Sequence, residues 1–84
     1  MKVTVKFLGP VREIIGERER EFNLKKGTVG ELLDNILKLY PKTKEKLKPA
    51  GIFIEGRIVK KSEQQTPLLK EGDEVSLVLP VAGG

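Results

Sequence analysis

Val3, Val5 and Phe7 alternate with Lys2, Thr4 and Lys6, which is the period of a strand with one buried face. Gly9-Pro10 interrupts that alternation. Val11, Ile14 and Ile15 then recur at the spacing of a single helical turn, closed by Gly16. A second strand follows over Arg18 to Leu24, with Arg20, Phe22 and Leu24 on one face and Glu19, Glu21 and Asn23 on the other. The two strands are expected to form a hairpin.

After the turn Lys25-Lys26-Gly27, Thr28 and Glu31 form a capping box, each side chain placed to satisfy a free backbone N–H of a helix start. Val29, Leu32, Leu33, Ile36, Leu37 and Tyr40 make one apolar stripe opposite Glu31, Asp34, Asn35 and Lys38. An Asp34–Lys38 pair is expected on the exposed face. Pro41 should end the helix, because its ring clashes with the preceding turn.

The second half reads as strands over Ile52 to Glu55 and Arg57 to Lys60 around Gly56, a brief turn at Pro67-Leu68-Leu69 that packs its leucines inward, and a turn at Lys70 to Asp73. Val75, Leu77, Leu79 and Val81 then alternate with Glu74, Ser76, Val78 and Pro80 in a last strand running nearly to the chain end. The order β-β-α-β-β-β with one amphipathic helix predicts an α+β fold, a mixed sheet packed on the main helix. The helical crossover allows the first and last strands to lie side by side and parallel.

A chain of 84 residues has one core to build, and the expected organisation is a folded domain over 1–79 with an extended tail over 80–84. Charged residues make up 33% and hydrophobic residues 38%, a globular composition. The absence of Cys and His removes thiolate nucleophiles, imidazole bases and the usual zinc ligands. No apolar run is long enough to span a bilayer and no signal peptide opens the chain, so a cytoplasmic location is expected. The net charge of +4 comes without a nucleic-acid motif or an aromatic stacking series, which argues against nucleic-acid binding. Lys38, Lys42, Lys44, Lys46 and Lys48 read as a solvated helix end and loop.

The chemistry is concentrated at the end. Pro80-Val81-Ala82-Gly83-Gly84 leaves a well-patterned strand and can reach roughly 17 Å when extended. Without a Cβ, Gly83 and Gly84 can enter a narrow channel and approach another protein's reacting groups closely. A carboxylate is a poor electrophile, so its use requires activation, for instance as an acyl-adenylate. The chain carries no phosphate-binding loop, so ATP falls to an activating partner and this chain binds no cofactor.

Over its full length the sequence resembles the small subunit of molybdopterin synthase, the MoaD family, within the ubiquitin-like sulfur carriers that include ThiS. The matching segments are Phe7 to Gly16, Thr28 with Leu32 and Leu33, Gly72-Asp73-Glu74-Val75, and the closing Pro80 to Gly84. The resemblance implies a β-grasp fold, adenylation of Gly84 by an E1-like, MoeB-like enzyme, and conversion to a thiocarboxylate. It further implies insertion of the tail into a larger MoaE-like subunit, where sulfur passes to cyclic pyranopterin monophosphate on the way to the molybdenum or tungsten cofactor. In that scheme Gly84 carries the sulfur, Gly83 permits threading, and Pro80, Val81 and Ala82 position it.

Many family members place aromatics after Gly-Asp-Glu-Val, where this chain has Leu77 and Val78. Phe53 and Val78 each fall on the face opposite their strand's other apolar residues, which suits either an exposed patch for a partner or packing under a loop. Arg12 and Glu13 suit either a partner contact or a surface ion pair that pins their loop. The same Gly-Gly end would also serve a protein modifier joined to target lysines, or a carrier supplying tRNA thiolation or thiamine synthesis. A non-covalent module binding through its sheet is the reading that needs no tail.

Overall fold

The computed structural model describes residues 1–47, 51–54 and 56–79. Five strands form one mixed sheet: β1 (Lys2–Phe7), β2 (Glu19–Asn23), β3 (Gly51–Ile54), β4 (Arg57–Ile58) and β5 (Glu74–Val78), in the order β2-β1-β5-β3-β4. β1 pairs antiparallel with β2 and parallel with β5, while β3 pairs antiparallel with both β5 and β4. The predicted hairpin and the parallel first and last strands are both present. The resulting β-grasp wraps the sheet over one main helix, α2 (Val29–Leu39).

The period-two residues fill the core. Val3, Val5, Phe7, Phe22, Leu24, Val75 and Leu77 pack with Val29, Leu32 and Ile36 of α2. Leu33 and Tyr40 lie half-buried against them, so the stripe sits where its spacing placed it. The short helix α1 (Pro10–Ile15) closes one end of the sheet with Val11 and Ile15. Leu69 is buried and Leu68 half-buried, as expected of that turn.

Several boundaries differ from the sequence reading. β4 ends at Ile58, because Val59 turns into the core and the Lys60 N–H donates to Glu63 Oε1 at 3.0 Å, opening a 3-10 turn over Lys61–Glu63. β3 begins one residue early, at Gly51, and Glu55 lies outside the described residues. Pro41 ends α2 but does not end helical structure: it starts a 3-10 turn, Pro41–Thr43, that runs into α3 (Lys44–Leu47). Proline is tolerated in a first turn, where its missing N–H has no helical partner in any case. The basic stretch is therefore largely helical, with Lys48 outside the described residues. The expected Asp34–Lys38 pair is not among the ion pairs formed between described residues, which include Lys6–Glu74, Arg20–Glu17 and Arg57–Glu63.

The capping box forms in one direction. Thr28 Oγ1 accepts the Glu31 N–H at 3.1 Å. The Glu31 carboxylate reaches further back, accepting the N–H groups of Lys25 (2.7 Å), Lys26 (2.8 Å) and Gly27 (3.1 Å). Those bonds stabilise the charged carboxylate and hold its pKa below the usual carboxylate range, with the Lys25 N–H contributing most.

Candidate functional site

β5 occupies the middle of the sheet, between β1 and β3, and its direction decides where the chain emerges. Val75 lies beside Val5 and Leu77 beside Phe7. The Leu8 N–H donates to the Leu77 carbonyl at 3.1 Å, extending the ladder past the end of β1. Leu79 packs half-buried on the core. The last described residue of β5's extension is thus seated at the sheet end that carries α1.

The turn into α1 is built by glycine. Gly9 adopts φ 53° and ψ −130°, a conformation that L side chains rarely take. Pro10 supplies a pre-set first helical residue, and Gly16, in the left-handed region, closes the helix by donating to the Arg12 carbonyl at 2.8 Å. Gly9, Pro10, Arg12, Glu13 and Ile14 line an open concavity on this surface. Arg12 and Glu13 are both exposed, and neither enters an ion pair among the described residues. The expectation that such a pair pins the loop is therefore not met; backbone bonds from Val11 to Leu8 and from Arg12 to Gly9, both 3.1 Å, hold it instead.

The other predicted contact residues are divided. Val78 is half-buried at the end of β5, opposite Gly51. Phe53 stands on β3 between Ser76 and Ile58, and its side chain lies outside the described part of the structure. Pro80, Val81, Ala82, Gly83 and Gly84 lie outside the described residues. Among the described residues the structure adds four exposed large apolar residues that sequence reasoning did not single out: Met1 (40% exposed), Leu8 (42%), Leu39 (43%) and Ile58 (55%). Leu8 had a signal, since it breaks the alternation of β1 by following Phe7 with a second apolar residue. Ile58 had one too, because Ile58 and Val59 are adjacent aliphatics in a period-two pattern and Val59 is the one buried.

Among the described residues no three His, Cys, Asp or Glu side chains gather in a way that could hold a metal ion. The cross-strand pair Lys6–Glu74, 3.2 Å apart, is solvent-exposed on both sides and contributes less than about 1 kcal/mol. The described body thus carries the chain to Leu79 at the sheet end that bears α1 and the concavity lined by Gly9, Pro10, Arg12, Glu13 and Ile14.

Residues 5–84 match the model of the ThiS family. The chain is 34% identical over 86 residues to the molybdopterin synthase sulfur carrier subunit of Mycobacterium tuberculosis, covering 100% of this chain and 99% of that relative. It is also similar to a solved chain from the complex of subunits 1 and 2 of the molybdopterin-converting factor of Helicobacter pylori, with 33% identity, a TM-score of 0.70 and 100% of both chains covered. The small archaeal modifier protein 1 of Methanosarcina acetivorans superimposes with a TM-score of 0.79 at 27% identity, covering 99% of this chain and 96% of that one.

Proposed function

The chain belongs to the ThiS family, and from that premise we propose that it is the sulfur-carrying small subunit of a molybdopterin synthase. The observation that carries this reading is the end-to-end match to a molybdopterin synthase sulfur carrier subunit at 34% identity. The fold supports it, because the central strand β5 delivers the chain at Leu79 from a rigid core. The five residues beyond Leu79 can span at most roughly 17 Å, enough to carry a terminal carboxyl into another protein.

In this scheme an E1-like partner holds ATP and converts the Gly84 carboxylate to an acyl-adenylate. A sulfur nucleophile then attacks the acyl carbon; the new C–S bond replaces the C–O bond to AMP, which leaves with the electron pair. The thiocarboxylate is a softer and stronger nucleophile than the carboxylate it replaces. Gly83 and Gly84 admit it to a channel in the large subunit, and its sulfur passes to cyclic pyranopterin monophosphate. The large-subunit assignment draws on the similarity to subunit 1 of a two-subunit complex. The chain itself holds no cofactor and works in the cytoplasm, where its ATP-using partner is.

The test is intact mass spectrometry after incubation with ATP, a sulfur source and an activating enzyme from the same organism. One oxygen at Gly84 should be replaced by one sulfur. An unchanged carboxylate in the presence of an enzyme competent on its own carrier would sink the reading.

A second reading is favoured by the structural likeness to small archaeal modifier protein 1: a protein modifier whose Gly84 forms an isopeptide bond with target lysines. Both readings share the adenylate and part at the nucleophile, sulfur in one and an amine in the other. Target lysines carrying the remnant of residues 71–84, which trypsin leaves by cutting after Lys70, and losing it on deletion of this gene, would establish the modifier.

A further inference from the structure

The sheet has two edge strands, β2 and β4, and an unpaired edge is a template for another strand. β4 is blunt, with two residues before the chain turns inward at Val59. β2 is longer, at five residues, and its outward face is set by its bonds to β1. Leu24 donates to the Met1 carbonyl at 2.7 Å, the Met1 ammonium donates to the Leu24 carbonyl at 2.8 Å, and Phe7 donates to the Arg18 carbonyl at 2.8 Å. Antiparallel ladders alternate bonded and non-bonded pairs. Arg18, Arg20, Phe22 and Leu24 therefore direct their backbone groups to β1, while Glu19, Glu21 and Asn23 direct theirs outward.

A second copy arriving antiparallel has the same outward residues, so outward residues must oppose outward residues. In the fully overlapped register Glu21 faces the other copy's Glu21 across the two-fold axis. Slipping two residues one way sets Glu19 against Glu21 twice and Arg20 against Arg20. Slipping the other way leaves only residues 21–23 paired. Like charges directly opposite are destabilising. Nor are these acids neutralised within the chain: Glu19 and Glu21 enter no ion pair among the described residues, and Lys6, the β1 partner of Glu19, bonds Glu74 instead.

We propose that Glu19 and Glu21 close the β2 edge to antiparallel pairing with a second copy and so keep the chain monomeric. This goes beyond the sulfur-carrier reading and does not rest on it. The test is sedimentation velocity of the full chain across a concentration series up to the millimolar range. Wild type should remain at the 9.4 kDa monomer. A Glu19→Thr/Glu21→Thr variant, which keeps strand propensity, should self-associate at least about tenfold more tightly, with slowed amide exchange at residues 19 to 23. A Glu19→Thr/Glu21→Pro variant removes the same charges and also the outward N–H at the axis, while leaving the ladder to β1 intact; it should stay monomeric. Self-association of wild type through β2, a folded Thr variant that stays monomeric, or a Pro variant that associates like the Thr one would each overturn the proposal.

Discussion

The Tyr40 hydroxyl donates a hydrogen bond to Glu17 Oε2, tying the C-terminal cap of α2 to the loop between α1 and β2. The same carboxylate accepts from Arg20 Nη1 at 3.1 and 3.2 Å. The Tyr40 ring meets Phe7 edge-on at a centroid distance of 6.3 Å, so one side chain joins the core to a surface network. Its hydroxyl, followed by the Arg20 guanidinium, holds Glu17 below the usual carboxylate range. Partial burial and then Glu17 push the Tyr40 phenol above its ordinary value.

These shifts give Tyr40→Phe a two-sided pH signature. Glu17, with its folded pKa depressed, contributes stability that is present above its unfolded value near 4.3 and is lost as pH falls through the folded value. Tyr40, with its folded pKa raised, contributes stability that is present below about 10 and is lost as pH rises through the folded value. The phenylalanine variant keeps the ring contact with Phe7 and loses the hydroxyl. Thermal melts should place it several degrees below wild type near neutrality, with the gap closing at both pH extremes. A gap that stays constant from pH 3 to 11 would refute the assignment.

Thr28 and Glu31 separate two ways of securing a helix start. The Thr28 hydroxyl caps the backbone of α2 directly, so Thr28→Ala should cost about 1 kcal/mol, or roughly 4–8 °C in Tm for a domain of this size. Thr28→Ser should recover most of it. Glu31 instead gathers three amides of the preceding turn and has a depressed pKa. Urea titrations of wild type should therefore lose stability more steeply below about pH 4.3 than those of Glu31→Gln, which has no proton to take up at that position.

Two glycines with similar positive φ should respond differently to alanine. Gly72 has φ 83° with nothing within 4 Å of an added Cβ, whereas Gly27 has φ 71° and its Cβ would stand 2.8 Å from the Leu69 carbonyl oxygen. That oxygen cannot retreat easily, because Leu69 donates to the Gly27 carbonyl at 2.9 Å. Gly72→Ala should cost about 1–2 kcal/mol, the strain of a left-handed alanine alone. Gly27→Ala should cost at least about twice that in denaturant unfolding.

Much of this fold was legible because its signals are local. The alternation of Val3, Val5 and Phe7, the stripe from Val29 to Tyr40 and the cap at Thr28 each depend on residues within a turn or two of one another. The parts that were not legible depend on distant partners. Nothing near Glu17 announces Tyr40, 23 residues away, and nothing at Glu31 says that its carboxylate will pass over the N-cap to Lys25. Pro41 reads as a terminator in the sequence, yet the same residue type ends one helix and begins another, and local pattern does not distinguish the two. The proposed site rests on a different signal, the Gly83-Gly84 pair after a well-patterned strand, whereas which apolar surfaces lie open depends on the folded packing. That is why Leu8 and Ile58 emerged only with the structure.

Removing Gly83 and Gly84 should separate fold from function. Every buried core residue named by the structure lies at or before Leu77, and Leu79 completes the packing at the sheet end. Deleting the two glycines therefore removes none of those contacts, and the Tm should stay within about 1 °C of wild type. Replacing Leu77 by alanine instead, at a residue only 1% exposed, should cost about 2–5 kcal/mol, a large share of the roughly 5–15 kcal/mol that holds a domain folded. The deletion should abolish sulfur loading while leaving the melt unchanged. A deletion that retained sulfur transfer would move the reaction off the tail, and one that unfolded the body would show that the tail is part of the core.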